Sequence, residues 1–225
     1  MNRTTLAAVL LTGSALVGAN YLIRRRTRPQ ALPSKIIPII TPVIDMGIAE
    51  DVLEAMAQLG GDEVTVVLHT SGGCVASCVL IANALREFRA STAIIPYMAM
   101  SGGTLIALNA DRIEMGASAS LSAVDPVIGG IRARHLKADD KDPSLQALAR
   151  EYEKAIGTYL KDTIKARLAH ADEQTIGRAF DVFIGEHAPH EWPIRRPEVA
   201  ALGFPVDPAK RSWGMMVDAY RKRWW

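Results

Sequence analysis

Cysteine is nearly missing from this chain, at two residues in 225, which excludes a disulfide framework and is compatible with a reducing compartment. Cys74 and Cys78 fall one helical turn apart, and no further Cys or His pair has ligand spacing. They therefore read as small packing residues inside a buried helix, not as half of a metal site. Internal repeats and low-complexity tracts are also lacking. Acid is absent from one region: residues 1–30 hold Arg3, Arg24, Arg25, Arg26 and Arg28 with no Asp or Glu. Against a net charge of +2, that local +5 leaves −3 on the other 195 residues, which excludes a broadly basic nucleic-acid binder.

What is present begins with an uncharged, mostly apolar stretch over residues 4–23 followed by "RRRTR". Its length suits a helix crossing a bilayer core of roughly 30 Å. Four arginines after it against one before it predict a single-pass anchor with the N-terminus outside and the main domain cytoplasmic. A cleaved signal peptide is the rival, with Val17 and Ala19 as the cleavage pair, and the downstream arginines oppose it. The expected division is an anchor with its basic flank over 1–30, a catalytic domain over 31–207 and a basic aromatic tail over 208–225.

Beyond the linker "TRPQALPSK", apolar strands alternate with helices. "KIIPIITPVI", "EVTVVLHT" and "STAIIPYMAM" read as strands, while "IAEDVLEAMAQL" and "CVASCVLIANALREF" read as helices. Ser101 begins a third helix, and "DRIEM" is short and extended. This alternation predicts an α/β fold with a largely parallel sheet covered on both faces. "ASASLSAVDPVIGG" reads as a loop and "RARHLKADDKDP" as a polar surface excursion. Pro143 to Leu168 is predicted as one long helix striped by Leu145, Leu148, Tyr152, Ile156, Tyr159 and Ile164. Another helix follows in "DEQTIGRAFDVFIG". The tail "RSWGMMVDAYRKRWW" puts Trp213, Met216, Val217, Tyr220 and Trp224 on one helical face, suited either to a membrane interface or to docking on a protein surface.

Two glycine pairs each follow a strand, in "HTSGG" and "MSGG". In a parallel sheet both turns emerge at the carboxyl edge. The N–H groups of Gly72, Gly73 and Gly102 are thus expected to converge as an oxyanion hole, each donor contributing about 3 to 4 kcal/mol to a developing negative charge. Ser101 is then either the attacking group or an N-cap of the helix it begins. The strict G-x-S-x-G elbow is not met, because Ala99 stands two residues before the serine.

"LHTSGG", "PYMAMSGGTLIALNADRIEMG", "AVDPVIG" and "HEWPI…EVAALGFPV", in this order and spacing, resemble the serine dehydrogenase proteinase family. That family stands with signal peptide peptidase A and the Clp protease subunit in the ClpP/crotonase superfamily, and the resemblance covers roughly residues 35 to 207. It implies a ClpP/crotonase-like fold of repeated β-β-α units and a serine peptidase without metal or cofactor. It also implies a peptide or membrane-protein substrate and a homo-oligomer. Ser71 stands where the family usually has proline, and Ser122 and Ala123 where it has glycine and proline.

A serine hydroxyl needs a base. The resemblance implies Lys154 for a Ser-Lys dyad of the signal peptide peptidase type, while the helical spacing puts Lys154 on a face with Lys161 and Lys165, which reads equally as solvated. His190, in "PHEWPI", is the competing base, with a structural role at the C-terminal turn as its other reading. His69 is expected to orient a loop, and Asp111 and Asp125 to fix turns. Three functions fit these residues: a membrane-anchored serine endopeptidase, an inactive membrane-tethered scaffold, and an acyl-CoA enzyme of the crotonase type.

Overall fold

The computed structural model describes residues 35–139 and 142–224. The stretch 4–23 lies outside them, and among the described residues no helix is long and apolar enough to cross a membrane.

Strand β1 (Ile36–Ile40) leads into α1 (Met46–Leu59), which starts where the Asp45 carboxylate accepts the Ile48 N–H at 2.9 Å and stops at Gly60 in the left-handed region. Next come β2 (Glu63–His69), α2 (Val75–Arg86), β3 (Ala90–Ile95), β4 (Met98–Ala99) and α3 (Gly102–Leu108). Strands β5 (Arg112–Met115) and β6 (Ser120–Leu121) precede a hairpin of β7 (Val127–Ile128) and β8 (Ile131–Arg132). Gly129 and Gly130, both at positive φ, make its tight turn. The remainder is helical apart from two short strands, with α4 (Ala133–Asp139), α5 (Pro143–Arg167), α6 (Glu173–Phe183), then β9 (Ile194–Arg195), α7 (Arg196–Ala201), β10 (Val206–Pro208) and α8 (Arg211–Trp224).

Strands β1-β2-β3-β5-β10, in that order, form one sheet in which every pairing is parallel. A second sheet has the order β4-β6-β9, with β4 and β6 parallel. The segment 91–100, one strand by sequence, is therefore two strands in two sheets. Pro96 has no N–H to continue the ladder. Gly116 packs against the Pro96 carbonyl, where an added Cβ would come within 2.3 Å. Both β3 and β5 leave the first sheet at this level, stitched by Gly116 N–H to Ile95 O at 2.9 Å and Ser120 N–H to Tyr97 O at 3.0 Å.

One face of the large sheet presents Val66, Leu68, Ala93, Ile95, Ile113 and Met115 to a single apolar core. Val52, Met56, Ile81, Leu85, Ile106, Ile156 and Leu160 come from the helices to meet it. On the reverse face, Val67 and Ile94 meet Trp213, Met216 and Val217 of α8. Burying Val217 there contributes about 2 kcal/mol. The Tyr97 hydroxyl donates to Asp218 at 2.9 Å beneath Gly214, whose missing side chain makes room for the ring. Of the two uses open to the tail's apolar face, this protein therefore shows docking on its own sheet.

Three expectations are corrected. Helix α5 buries Ala149, Ile156, Leu160, Thr163 and Ile164, whereas Leu148 and Tyr152 stay exposed. Its N-terminal half meets only the small cluster of Ala133, Leu136 and Ala149, which does not cover them. Cys74 precedes α2 and is exposed, although Cys78 is buried as expected. Burial pushes the Cys78 thiol up to about 12, so it packs as a neutral group. The excursion after Arg132 forms α4, and Arg132 itself turns inward.

Candidate active site

Ser101 joins β4 to α3 at φ 50° and ψ −116°. Among the described residues it is the one non-glycine residue at positive φ. Such a conformation costs of order 1–3 kcal/mol and persists only where the surroundings hold it. Its N–H donates to Ser122 Oγ at 2.8 Å, and its carbonyl accepts from Leu105 N–H at 3.1 Å. Ser122 is held in turn, its N–H donating to Thr104 Oγ1 at 2.9 Å while the Thr104 hydroxyl donates to Ala99 O at 2.7 Å. The Ser101 side chain does not cap α3, and its half-exposed hydroxyl has no hydrogen-bond partner among the described residues. The N-cap reading therefore fails. A backbone amide needs this serine at position 122, where the resemblance led one to expect glycine.

The two glycine corners meet. Thr70 N–H donates to Met98 O at 3.2 Å and Met100 N–H to Thr70 O at 3.0 Å, which ties the end of β2 to β4. A Cβ on Gly72 would lie 2.7 Å from Ser101 Cβ, and one on Gly102 would lie 2.3 Å from Cys78 Sγ and 3.5 Å from Gly73 N. Only hydrogen fits at either position. The three expected donors then separate. Gly72 N–H is engaged by Thr70 Oγ1 at 3.1 Å. Gly73 is exposed, Gly102 is half-buried, and neither N–H has an acceptor among the described residues. Gly73 and Gly102 thus present two free amides on either side of the serine corner, while Gly72 supplies the close approach.

Lys154 is exposed on α5, with no hydrogen bond to Ser101. His190 is placed quite differently. Its Nδ1 lies 2.8 Å from Asp125 Oδ1, with the imidazole side chain 12% exposed and the carboxylate 2%. The other Asp125 oxygen pairs with Arg132 Nε, on a side chain 16% exposed. Burial pushes the Asp125 carboxyl up, but the hydrogen bonds from His190 and Arg132 outweigh it and hold the group below its ordinary value. An ionised carboxylate only accepts. The proton in the 2.8 Å contact therefore belongs to His190 Nδ1, and in the neutral ring that tautomer makes Nε2 the acceptor. Asp125, expected as a turn former, is instead the partner of a histidine 65 residues away.

Register brings this pair to the serine end of the small sheet. Met98 aligns with Ser120 and Ala99 with Leu121, and just past these pairs the Ser101 N–H meets Ser122 Oγ, three residues before Asp125. Ala123, Val182, Pro189, Trp192 and Ile194 line an apolar cavity of about 370 Å³ beneath the His190 segment. His69, next to Thr70 at the end of β2, turns its side chain toward Tyr97 and not into this cluster. Its ring packs edge-on against Tyr97 with centroids 5.9 Å apart, and its buried Nδ1 has no partner among the described residues. Burial, then the Arg221 charge, lowers its pKa. Asp111 accepts a backbone hydrogen bond as expected, but across to Ser91, 20 residues earlier, with the N–H at 2.7 Å and the Ser91 hydroxyl at 2.9 Å, and not within its own turn.

Residues 22–213 match the family described as ClpP-like SDH-type serine proteinase. Two uncharacterised proteins of Methanocaldococcus jannaschii are each 31% identical, over 171 and 191 residues, or 71% and 80% of this chain. The matched region spans 59% and 64% of their own lengths. Among solved structures, a ClpP1 mutant from Listeria monocytogenes superposes with a TM-score of 0.56 over 80% of this chain and 94% of its own, at 14% identity. The membrane-bound stomatin-specific protease 1510-N, in complex with a substrate peptide, gives 0.54 over 81% and 77%, at 17% identity. At these identities the structural likeness is one of fold. With a family match that takes in most of the sequence, this chain belongs to the ClpP-like SDH-type serine proteinases.

Proposed function

We propose that the domain hydrolyses peptide bonds with Ser101 as nucleophile, His190 as general base, Asp125 as its orienting acid, and the N–H groups of Gly73 and Gly102 as the oxyanion hole. The observation that carries this reading is the Ser101 corner: a strained non-glycine residue whose hydroxyl is unbonded between two unpaired amides. In the reaction, Ser101 Oγ attacks the scissile carbonyl and its proton passes to His190 Nε2. Asp125 stabilises the imidazolium that forms, and the two amides bind the oxyanion. The protonated His190 then returns its proton to the leaving amine, and water repeats the sequence on the acyl-enzyme. The reading requires a Ser101–His190 hydrogen bond in the substrate complex, where catalytic hydrogen bonds commonly tighten.

The chain order Ser, Asp, His is one of several in which this constellation arises. A Ser-Lys dyad is the second reading, supported by the position of Lys154 in the resemblance. Against the inactive scaffold stands the retained backbone strain, for which a packing role offers no reason. Against acyl-CoA chemistry stands the serine, which that chemistry does not need. A fluorophosphonate probe is expected to label Ser101 covalently in the wild type and not in Ser101→Ala, with peptide cleavage lost in parallel. Undiminished labelling of the folded alanine variant would end the assignment.

Residues 4–23 serve, in this reading, as a single-pass anchor holding the domain on the cytoplasmic side, supported by their apolar length and the arginines that follow. A peptide or membrane-protein substrate follows from that placement. Alkaline carbonate extraction of membranes tests it: retention in the pellet is expected, and release into the supernatant would exclude the anchor. Self-association is supported by exposed Val127, Ile131, Leu148 and Tyr152 on the hairpin and α5.

A further inference from the structure

The geometry points to Arg132 as the positioning residue of the His190 base: one guanidinium both holds the Asp125 carboxylate and grips the segment that carries His190. This rests on the reading of His190 as the base of Ser101.

The hairpin of β7 and β8 reverses the chain at Gly129 and Gly130 and returns Arg132 onto Asp125, seven residues earlier. Nε takes Asp125 Oδ2, leaving Oδ1 for His190. Nη1 donates to Ala188 O at 2.9 Å, and Nη2 donates to Gly185 O. Arg134 reinforces the same segment, with Nη2 to Ile184 O at 2.7 Å and Nη1 to Glu186 at 3.1 Å. The segment approaches so closely that a side chain at Gly185 would lie 2.6 Å from Arg132 Nη2 and 2.8 Å from Ala123 Cβ. Gly185 is also at φ +69°, a conformation glycine adopts without strain.

This connection has a chemical purpose. A carboxylate 2% exposed beside a neutral imidazole would be driven toward protonation, and a carboxylic acid is a poorer acceptor for Nδ1–H. Arg132 supplies the missing countercharge in the resting site. The planar fork also fixes two carbonyls of the loop relative to that carboxylate, which the point charge of a lysine does not do. The charged or titratable groups around His190 are Asp125 and Arg132 in the cluster, Arg134 paired with Glu186, His187 and Glu191 in the same segment, and Glu198 on the cavity wall.

Two variants of the full chain separate charge from fork. Arg132→Gln removes both, and Arg132→Lys keeps the charge. Both are expected to slow fluorophosphonate labelling of Ser101 per folded molecule by roughly 10- to 100-fold, and both to speed hydrogen exchange over residues 184–190. Only Arg132→Gln is expected to move the carbon-13 carboxyl titration of Asp125 upward. If Arg132→Gln does not fold, Arg132→Lys carries the test through labelling and exchange. Labelling within twofold of wild type with unchanged exchange at 184–190 would reduce Arg132 to a structural ion pair and overturn the proposal. A wild type that takes no label refutes the Ser101 reading and this proposal with it, whereas a labelled wild type beside unimpaired Arg132 variants overturns this proposal alone.

Discussion

The serine corner and the His190 cluster hold their side chains by opposite means. Around Ser101 the restraints are backbone amides, two small hydroxyls and the absence of side chains at Gly72 and Gly102. Around His190 they are charges, with one buried carboxylate shared between an imidazole and a guanidinium. A corner made by exclusion tolerates nothing larger but contains little electrostatic energy. A cluster made by charge depends on every member, because removing one leaves the others buried and unpaired. Substitutions should therefore act through size at the first region and through ionisation at the second.

The largest effect is expected from Asp125→Asn. It leaves Arg132 buried without its partner, which should destabilise the domain by about 3–5 kcal/mol in denaturant unfolding. It also lets His190 take the wrong tautomer, and labelling of Ser101 should fall by roughly 10³- to 10⁴-fold. In the wild type the same carboxylate has a pH signature. Its folded pKa lies below the unfolded value, so its stabilisation is complete above about pH 4 and is lost as pH falls through the folded pKa. The variant should lack that part of the acid-unfolding slope. Equal slopes would mean that the charge pairing is not what holds this region.

Gly102→Ala should come next, at about 1–3 kcal/mol, because its Cβ meets Cys78 Sγ at 2.3 Å. Adding Cys78→Ala should return part of that loss, and a double-mutant cycle showing additivity would argue against size as the cause. Ser101→Gly is smaller and opposite in sign. Relief of the positive φ should raise stability by about 1 kcal/mol while labelling disappears. A destabilised glycine variant would show that the corner is not strained. Lys154→Ala is the smallest, with labelling within about twofold of wild type, as for an exposed side chain distant in function from the site. A hundredfold loss there would transfer the base from His190 to Lys154.

The alternation of apolar strands and helices, the parallel character of the sheet it implies and the two glycine corners were legible from the chain, because each is encoded in short runs of residues. The break at Pro96 into two sheets is not legible locally, since the apolar residues on either side look continuous and only the packing of Gly116 shows the turn. Lys154 was implied by the resemblance, while its spacing read as a solvated face, on a helix whose N-terminal half leaves Leu148 and Tyr152 exposed. His190 was visible as a competing base and Asp125 only as a turn former, because nothing local connects residues 65 apart in sequence.

By itself the sequence determined that two strands end in glycine turns, that a serine occupies one of them, and that no side chain obstructs either. Local backbone chemistry suffices for that, because glycine and serine act at their own positions. Only the tertiary structure decided which base candidate is held, which amides remain unpaired and where the aromatic tail goes. Those outcomes depend on burial and on charge partners from distant segments, and neither exists until the chain has folded.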